Sequence, residues 1–463
     1  MISRIRFKKL VLLFGDTILL VFGLYLSISL RHLEPASSTL LSLHFLPFIQ
    51  IGFLWLILGY INGYYDLSLP SDKRRLLLGT IQTMLMAIVV GTIYFYFFDN
   101  QGISPKTTLV IYGLVSYTLL HAWRMIFSSM SKSDKLKNRL LFVGFTPDTK
   151  ELVEIIDKRP HLGYQVCAIV DEENPNLDTL KGKFDTYKDL SKMRPIITTR
   201  SINTIIVAPH LQKQEKALKE LYQLLFWDVQ ILDQATFYES ALGRVPPSSF
   251  SEDFFLQQLG QRNQSFSIRI QKIFDLFFGI IIAVIGLLLL PFVALAIRLE
   301  SNGPIFFTQK RVGKYGKVFT IYKFRSMYAL SADGSAETSG AQFAKKGDKR
   351  ITKVGKILRK TRLDEFPQII NLLKGDLTLI GPRPERPEIV EKLEEQMPYY
   401  SLRHTVTPGI TGWAAINQHY TDTLESSLVK LQYDLYYIKN RSVMLNFSII
   451  LKTINVVLRF KGQ

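Results

Sequence analysis

Four apolar stretches before residue 130 constrain the fold more than any other feature of this chain. They cover residues 10–30, 41–61, 76–98 and 107–123. Each is close to the ~20 residues that cross the hydrocarbon core of a bilayer, so residues 1–130 read as a four-helix transmembrane bundle. The first stretch is too long, and too early in a multi-span pattern, to be a cleaved signal peptide. Loop charges set the orientation. Arg4, Arg6, Lys8 and Lys9 precede the first span; Lys73, Arg74 and Arg75 lie between the second and third; Lys132, Lys135, Lys137 and Arg139 follow the fourth. The other two loops carry only Arg31 and Lys106 close to the spans. The positive-inside rule then puts both ends of the bundle in the cytoplasm. Asp16 falls inside the first span. An intramembrane carboxylate is a functional candidate by default, but this one is near the cytoplasmic end and is expected simply to reach the interface.

The 463 residues suggest about three domains. Hydrophobic residues make up 47% beside 21% charged, which fits apolar content concentrated in segments. A single cysteine, Cys167, excludes an intramolecular disulfide framework. The net charge of +18 points to acidic lipid, phosphorylated substrates or nucleic acid. The membrane segments favour the first two. Nucleic acid is not an expected partner, because the basic clusters lie beside membrane segments and lack the aromatic interleaving of single-strand binders.

From residue 139 the pattern changes. RLLFVGF, YQVCAIVD, NTIIVAPH and VQIL read as buried strands, separated by the helical DTKELVEIID and LQKQEKALKELYQLLF. Strands alternating with helices imply a parallel, doubly wound sheet, a Rossmann-like module over residues 139–240. Asp171 ends the second strand, where dinucleotide folds bind a ribose. The first turn, GFTPDT, has Gly144 but lacks G-x-G-x-x-G. A module that binds no dinucleotide is the expectation, with a regulatory ligand or an oligomer contact left open. Residues 241–270, with VPPSSFSED and QQLGQRNQS, read as a linker.

A fifth uncharged run covers 276–297. A full crossing there would put the rest of the chain outside. Cations flank both ends, and Pro291 interrupts the run; an interior proline removes a backbone bond and kinks a helix. A broken helix over 272–299 that enters and leaves on one face satisfies both facts, and an ordinary kinked span is the alternative. From Ser301 onward there are 26 Lys and Arg against 14 Asp and Glu. They cluster in QKRVGKYGK, YKFRS, KKGDKR, KVGKILRKTR and GPRPER, a surface suited to an anionic leaflet and a phosphorylated ligand. Within it, RKTRLDEFPQ sets two carboxylates, Asp364 and Glu365, among Arg359, Lys360 and Arg362. The apolar spacing of LDEFPQIINLLKGD and the place of Pro367 predict a helix beginning near Asp364. Its dipole is expected to keep both carboxylates ionised. Adjacent helical residues point about 100° apart, so the pair is expected to divide its work. One attacks phosphorus, and the other helps hold a hard cation or orient a phosphate.

Residues 271–463 closely resemble the bacterial sugar transferase family, the polyisoprenyl-phosphate hexose-1-phosphate transferases. The matching stretches are QKIFD, the apolar run broken at Pro291, SNGPIFFTQKRVGKYGKVFTIYKFRSM, ITKVGKILRKTRLDEFPQIINLLKGDLTLIGPRPERP and TPGITGW. They stand in the family's order. With the bundle and the Rossmann-like module in front, the chain looks like the long form of the family, as in undecaprenyl-phosphate glucose or galactose phosphotransferases. The resemblance implies a membrane bundle, an α/β module, and a mainly α, membrane-associated catalytic domain with a re-entrant helix. It implies transfer of a sugar-1-phosphate from a nucleotide diphosphate sugar to polyprenyl phosphate. That step starts exopolysaccharide, capsule or O-antigen synthesis at the cytoplasmic face of the bacterial inner membrane. The residue matching Asp364 is the family's nucleophile, which forms a covalent phosphosugar intermediate; the one matching Glu365 assists with Mg²⁺. Arg359, Arg383 and Arg386 are candidate phosphate clamps, since a guanidinium fork fits phosphate bidentately. Lys323 and Arg325 are further candidates for substrate or lipid. Pro382, Pro384 and Pro408 are expected to stiffen the loops that present these groups.

The chain departs from the family pattern at Ala415, Gln418 and His419, where glutamine, glycine and arginine often stand, and at Gln271, where a basic residue is usual. The first three put the sugar or base specificity in doubt more than the phosphoryl chemistry. The terminal run VMLNFSIILKTINVVLRF reads equally as an interfacial helix or a core helix. Membrane lipid and a homodimer formed through the N-terminal modules are the expected partners. Two other functions compete: a glycosyltransferase that releases nucleoside diphosphate, and a membrane scaffold without activity.

Overall fold

The computed structural model describes residues 4–65, 73–98, 106–131, 137–160, 163–172, 174, 177, 183–252, 255–256, 265–331, 333–336, 348–418 and 423–458. The chain divides into two units, Met1–Phe237 and Tyr238–Gln463.

The first unit opens with helices α1 (Arg4–His32), α2 (Ser38–Ile61), α3 (Lys73–Phe98) and α4 (Lys106–Ser131). Each contains a run long and apolar enough to cross a membrane. Outward-facing Phe14, Phe22, Phe53 and Val89 are exposed, while Leu20, Leu24, Phe48, Ile51, Trp55 and Tyr112 form the inner seam. Small residues let the helices approach: a Cβ on Gly15 would lie 2.6 Å from the Trp123 ring. Asp16, expected to turn out toward the interface, faces the inside of the bundle. It is 2% exposed, and its Oδ2 accepts a hydrogen bond from the Arg124 Nη2 at 2.6 Å. The Arg124 guanidinium also lies over the rings of Tyr64 and Tyr65, at 4.8 and 5.3 Å from their centroids. A carboxylate stripped of water needs such a partner.

A parallel sheet follows, built from β1 (Asn138–Val143), β2 (Tyr164–Val170), β3 (Asp185–Tyr187), β4 (Thr204–Val207) and β5 (Gln230–Asp233), in the order β3-β2-β1-β4-β5. Helices α5 (Pro147–Lys158), α6 (Met193–Arg200) and α7 (Glu215–Leu224) connect the strands. The central strands are apolar on both faces, as a covered parallel sheet requires. Thr146 caps α5 by accepting the Thr149 N–H at 3.1 Å. The Asp171 carboxylate is already engaged: it accepts the Phe145 N–H at 2.7 Å and lies 3.6 Å from the His210 ring. Gly144, at φ 101°, is closed over by Ala208, which a Cβ would meet at 2.4 Å.

Helix α8 (Gln234–Leu242) leads into the second unit. The expected linker, 241–270, is in its described residues part of that unit's core. Val245 and Phe255 are buried, the Gly243 carbonyl accepts the Trp413 indole N–H at 2.6 Å, and Arg244 donates to Gln432 at 2.9 Å. Polar composition hid three apolar anchors, Val245, Phe250 and Phe255.

The break expected at Pro291 is not seen: helix α9 (Ser265–Glu300) is continuous through it for 36 residues. After it come the antiparallel hairpin β6 (Phe306–Val312) and β7 (Val318–Phe324), helix α10 (Lys353–Thr361), and a 3₁₀ segment Leu363–Gln368. Then follow α11 (Ile369–Lys374), β8 (Thr378–Ile380), α12 (Pro387–Gln396), β9 (Gly409–Thr411), α13 (Trp413–Asn417), α14 (Leu424–Asn440) and α15 (Val443–Leu458). One side of α9 is a continuous apolar surface, with Phe277, Ile280, Val284, Leu288, Phe292 and Leu295 all exposed. The other side packs on the unit between Gln271 and Ile297. Gln271 donates to the Ile380 carbonyl at 2.9 Å and accepts from Arg441 at 2.6 Å. Gly279 faces Leu372, Gly286 faces Phe366, and Leu290, Val293 and Ile297 pack with Phe324, Leu358 and Phe366. Helix α15 divides the same way: Asn446, Ile449 and Leu451 are buried, while Met444 and Phe447 are exposed.

Candidate active site

Helix α10 starts well defined. Thr352 accepts the Gly355 N–H at 2.9 Å, and the Glu300 carboxylate takes the N–H groups of Lys353 and Val354 at 2.6 and 2.9 Å. Its other end is set by Arg362 in the left-handed region, φ 62°. The chain then turns into the 3₁₀ segment that carries Asp364 and Glu365. The helix expected to begin near Asp364 therefore begins five residues later, at Ile369. Pro367 sits inside the 3₁₀ segment, and an α-helix through Asp364 needs the backbone N–H that Pro367 lacks. Helix α11, which follows directly, is pinned to β7 by Asn371, which accepts the Tyr322 N–H at 3.2 Å and donates to the Thr320 carbonyl at 2.7 Å.

That pinning puts Lys323 of β7 against Glu365. The Glu365 Oε1 lies 3.2 Å from the Lys323 Nζ, 2.8 Å from an Arg383 Nη and 3.5 Å from an Arg362 Nη. Burial pushes the Glu365 carboxyl up, but Arg383, Lys323 and Arg362 together overrule it and hold it well below the usual range. Asp364 differs. It is 9% exposed, and its Oδ1 is buried without a hydrogen-bond partner among the described residues. Burial first, and the Glu365 charge second, push its carboxyl up to about 6. The dipole argument, which expected both carboxylates to stay ionised, gives way to desolvation at Asp364. Two neighbouring carboxylates with opposed environments are suited to different roles.

The GPRPER loop brings in Arg383. Its shape depends on close backbone contact with the TPGITG loop. Gly381 donates to the Thr411 carbonyl and Gly409 donates to the Pro382 carbonyl, both at 2.9 Å. A Cβ on Gly409 would stand 2.0 Å from the Gly381 nitrogen. Pro382, Pro384 and Pro408 are buried in this junction. Beneath it, Arg403 donates to the Arg383 carbonyl at 2.7 Å and pairs with Asp434 at 2.9 Å. Glu385 pairs with Lys430, and lies 3.8 Å from Arg311. This supporting layer was missed by sequence reasoning. Its only signal was charge within apolar helical spacing, as at Asp434 in LQYDLYYI.

The other expected site residues divide. Arg359 is half-buried on the last turn of α10 and makes no ion pair among the described residues; its charge is among those that stabilise ionised Asp364. Arg386 precedes α12, and its charge lowers the affinity of Arg311 for its proton. Arg325, expected to meet substrate or lipid, is engaged inside the protein instead. It is 2% exposed, and its guanidinium donates to the carbonyls of Asn302, Ser301 and Ile297 at 2.8, 2.7 and 3.2 Å. It caps the C-terminus of α9, where a cation is favoured. Of the departures from the family pattern, Ala415 lies in α13, Gln418 donates to the Ser426 carbonyl at 2.7 Å, and His419 lies outside the described residues.

The family model described as "Bacterial sugar transferase" matches residues 266–460. The "Exopolysaccharide production protein PSS" of Rhizobium leguminosarum bv. phaseoli is 37% identical over 190 residues, which is 40% of this chain and 93% of that protein. The chain belongs to the bacterial sugar transferase family. The "UDP-N-acetylgalactosamine-undecaprenyl-phosphate N-acetylgalactosaminephosphotransferase" of Aeromonas hydrophila is 49% identical over 165 residues, 36% of this chain and 38% of that protein. The "UDP-glucose:undecaprenyl-phosphate glucose-1-phosphate transferase" of Klebsiella pneumoniae is 27% identical over 473 residues, covering 97% of this chain and 94% of its own length. A second family model, described as "CoA-binding domain", matches residues 60–231.

Proposed function

We propose that this chain transfers a sugar-1-phosphate from a nucleotide diphosphate sugar to polyprenyl phosphate at the membrane, through a phosphosugar ester on Asp364. One observation carries the reading: a desolvated carboxylate with an unpartnered oxygen stands beside a second carboxylate held by three cations, in a chain of the sugar transferase family. An Asp364 carboxylate oxygen bonds to the phosphorus that bears the sugar. The bond from that phosphorus to the bridging oxygen breaks, and nucleoside monophosphate leaves. An oxygen of polyprenyl phosphate then attacks the same phosphorus, and the aspartate leaves. Splitting one displacement into two is the use of a protein nucleophile. Poor solvation keeps the Asp364 charge reactive, while the ionised Glu365 fixes Lys323 and Arg383 where phosphoryl charge spreads. Arg359 and Arg386 stand as further clamps on the donor's phosphates.

The residues fit a magnesium ion. The buried Asp364 Oδ1 is an open hard donor, and Mg²⁺ commonly takes one or two carboxylates with substrate phosphates and water. When bound it neutralises charge on the phosphoryl oxygens. Asp364 and Glu365 are its proposed ligands.

The re-entrant placement of α9 belongs to the same proposal. Both of its ends bond to the same folded unit, through Gln271 and Ile380 at one and Arg325 at the other. That supports a helix seated in the membrane from one side, with the catalytic residues at the cytoplasmic leaflet. Mixing the protein with Mg²⁺, polyprenyl phosphate and a panel of nucleotide sugars tests the function. The reading predicts nucleoside monophosphate release that Asp364→Asn abolishes; nucleoside diphosphate release overturns it.

A further inference from the structure

We propose that the N-terminal edge of the five-stranded sheet is a membrane-contact surface, with Tyr222, Leu225, Phe226 and Trp227 seated among the headgroups of an anionic leaflet. All five strands are parallel, so they all begin at one edge. β1 begins at Asn138, seven residues after α4 ends at Ser131. Seven residues reach at most about 25 Å, so that edge is held close to the end of the bundle. The bundle supplies a second constraint. α1 and α4 are antiparallel, with Asp16 in the middle of α1 against Arg124, and Arg31 at the end of α1 bonded to Thr108 at the start of α4. The start of α1 and the end of α4 therefore share a face. At that face a Cβ built on Gly163, the residue before β2, would lie 3.1 Å from the Lys8 Nζ.

The loop before β5 lies on the same edge. Gln230 donates to the Asn203 carbonyl at 2.9 Å, and Asn203 donates to the Arg139 carbonyl at 3.2 Å, so the starts of β5, β4 and β1 stand side by side. Helix α7 buries Ala217, Leu221 and Leu224 against the sheet. Its outer face and the loop after it turn Tyr222, Leu225, Phe226 and Trp227 outward, with Phe226 80% exposed. A contiguous aromatic and aliphatic patch of this kind marks an interaction surface, and Tyr and Trp collect at membrane–water interfaces. Charge favours an anionic leaflet. Lys137, Arg139, Lys158, Arg159 and Arg200 stand at the strand starts and helix ends of this edge. Of the described carboxylates there, Asp157 pairs with Lys183 at 2.9 Å and Asp185 pairs with Arg200, which leaves Asp228 against Lys137, Arg139, Lys158 and Arg159. A basic, aromatic edge beside the end of a membrane bundle matches the headgroup region better than a second copy of the same basic edge, which it would repel.

The test uses the full chain with Cys167→Ser, carrying a polarity-sensitive fluorophore on Phe226→Cys, in liposomes containing phosphatidylglycerol. A label on Lys150→Cys, at the opposite edge, is the reference. At position 226 a headgroup-level lipid quencher removes most of the emission and aqueous iodide removes little; at 150 the pattern reverses. In purely neutral lipid the protection at 226 weakens. If 226 responds to iodide as 150 does, the proposal is overturned. Protection that ignores the lipid quencher but grows with protein concentration also overturns it, and assigns the patch to a second copy.

Discussion

Asp364→Asn is expected to abolish turnover and yet stabilise the protein at neutral pH. Burial and Glu365 raise the Asp364 carboxyl from 3.8 to about 6. A raised acid binds its proton more tightly in the folded state than in the unfolded state. Its stabilising contribution is complete below about pH 3.8 and is lost as the pH rises through about 6. Above that the folded protein carries a desolvated charge. A shift of roughly two units corresponds to about 3 kcal/mol. Coupling to Glu365 shares the effect between two groups, so about 1–3 kcal/mol is expected at pH 8. An amide resembles the protonated acid at every pH and removes that penalty. For a unit of this size each kcal/mol moves the melting midpoint by about 2–4 °C. Thermal melts of the detergent-solubilised pair at pH 8, 5 and 4 read it out. The variant should melt higher at pH 8, keep about half the gap near pH 5 and lose most of it by pH 4. A variant that melts at or below the parent at pH 8, or a gap that widens on acidification, would refute the desolvation account. Activity of the variant should fall by about 10³-fold or more, as for loss of other covalent nucleophiles.

Four further outcomes follow from the same contacts. In the parent, log kcat/KM should fall on the acid side with a midpoint near 6, the value to which Asp364 is raised; a profile flat down to pH 5 contradicts the assignment. Lys323→Met removes one of the cations on Glu365 and should cost about 1–3 kcal/mol by chemical denaturation, less than for a buried pair losing its sole partner, because Arg383 remains at 2.8 Å. Arg325→Ala strands the carbonyls of Ile297, Ser301 and Asn302 and should lower stability by about 2–4 kcal/mol, while the donor KM of the folded fraction stays within about twofold, a split that a phosphate ligand would not show. Gly409→Ala forces a methyl against the Gly381 backbone and should lower the melting midpoint by an amount equivalent to about 3 kcal/mol, with loss of turnover as the Arg383 loop shifts.

The features legible in the sequence were those with a local period or a fixed spacing. Apolar runs of about 20 residues mark α1 to α4 because no other local pattern produces them. The alternation from residue 139 marks the parallel sheet, and RKTRLDEFPQ marks the carboxylate pair. Long-range pairings were illegible. Asp16 finds Arg124 across 108 positions, and Arg124 stands just past the expected end of the fourth span. Arg325 looked like a clamp in a basic cluster, yet the end of α9 claims its guanidinium. The 3₁₀ segment escaped because helical spacing over six residues fits two helix types. The supposed linker was read by its polar majority, when three apolar residues set its place.

The central claim is that a carboxylate of this chain becomes the temporary carrier of the phosphosugar. Rapid mixing with an accepted nucleotide sugar, in the absence of polyprenyl phosphate, tests it most directly when followed by proteolysis and mass spectrometry. The prediction is one nucleoside monophosphate released per active enzyme, with the mass of a phosphosugar on the peptide containing Asp364 and its loss on adding polyprenyl phosphate. An unmodified Asp364 peptide throughout turnover, with monophosphate appearing only when both substrates are present, would contradict it.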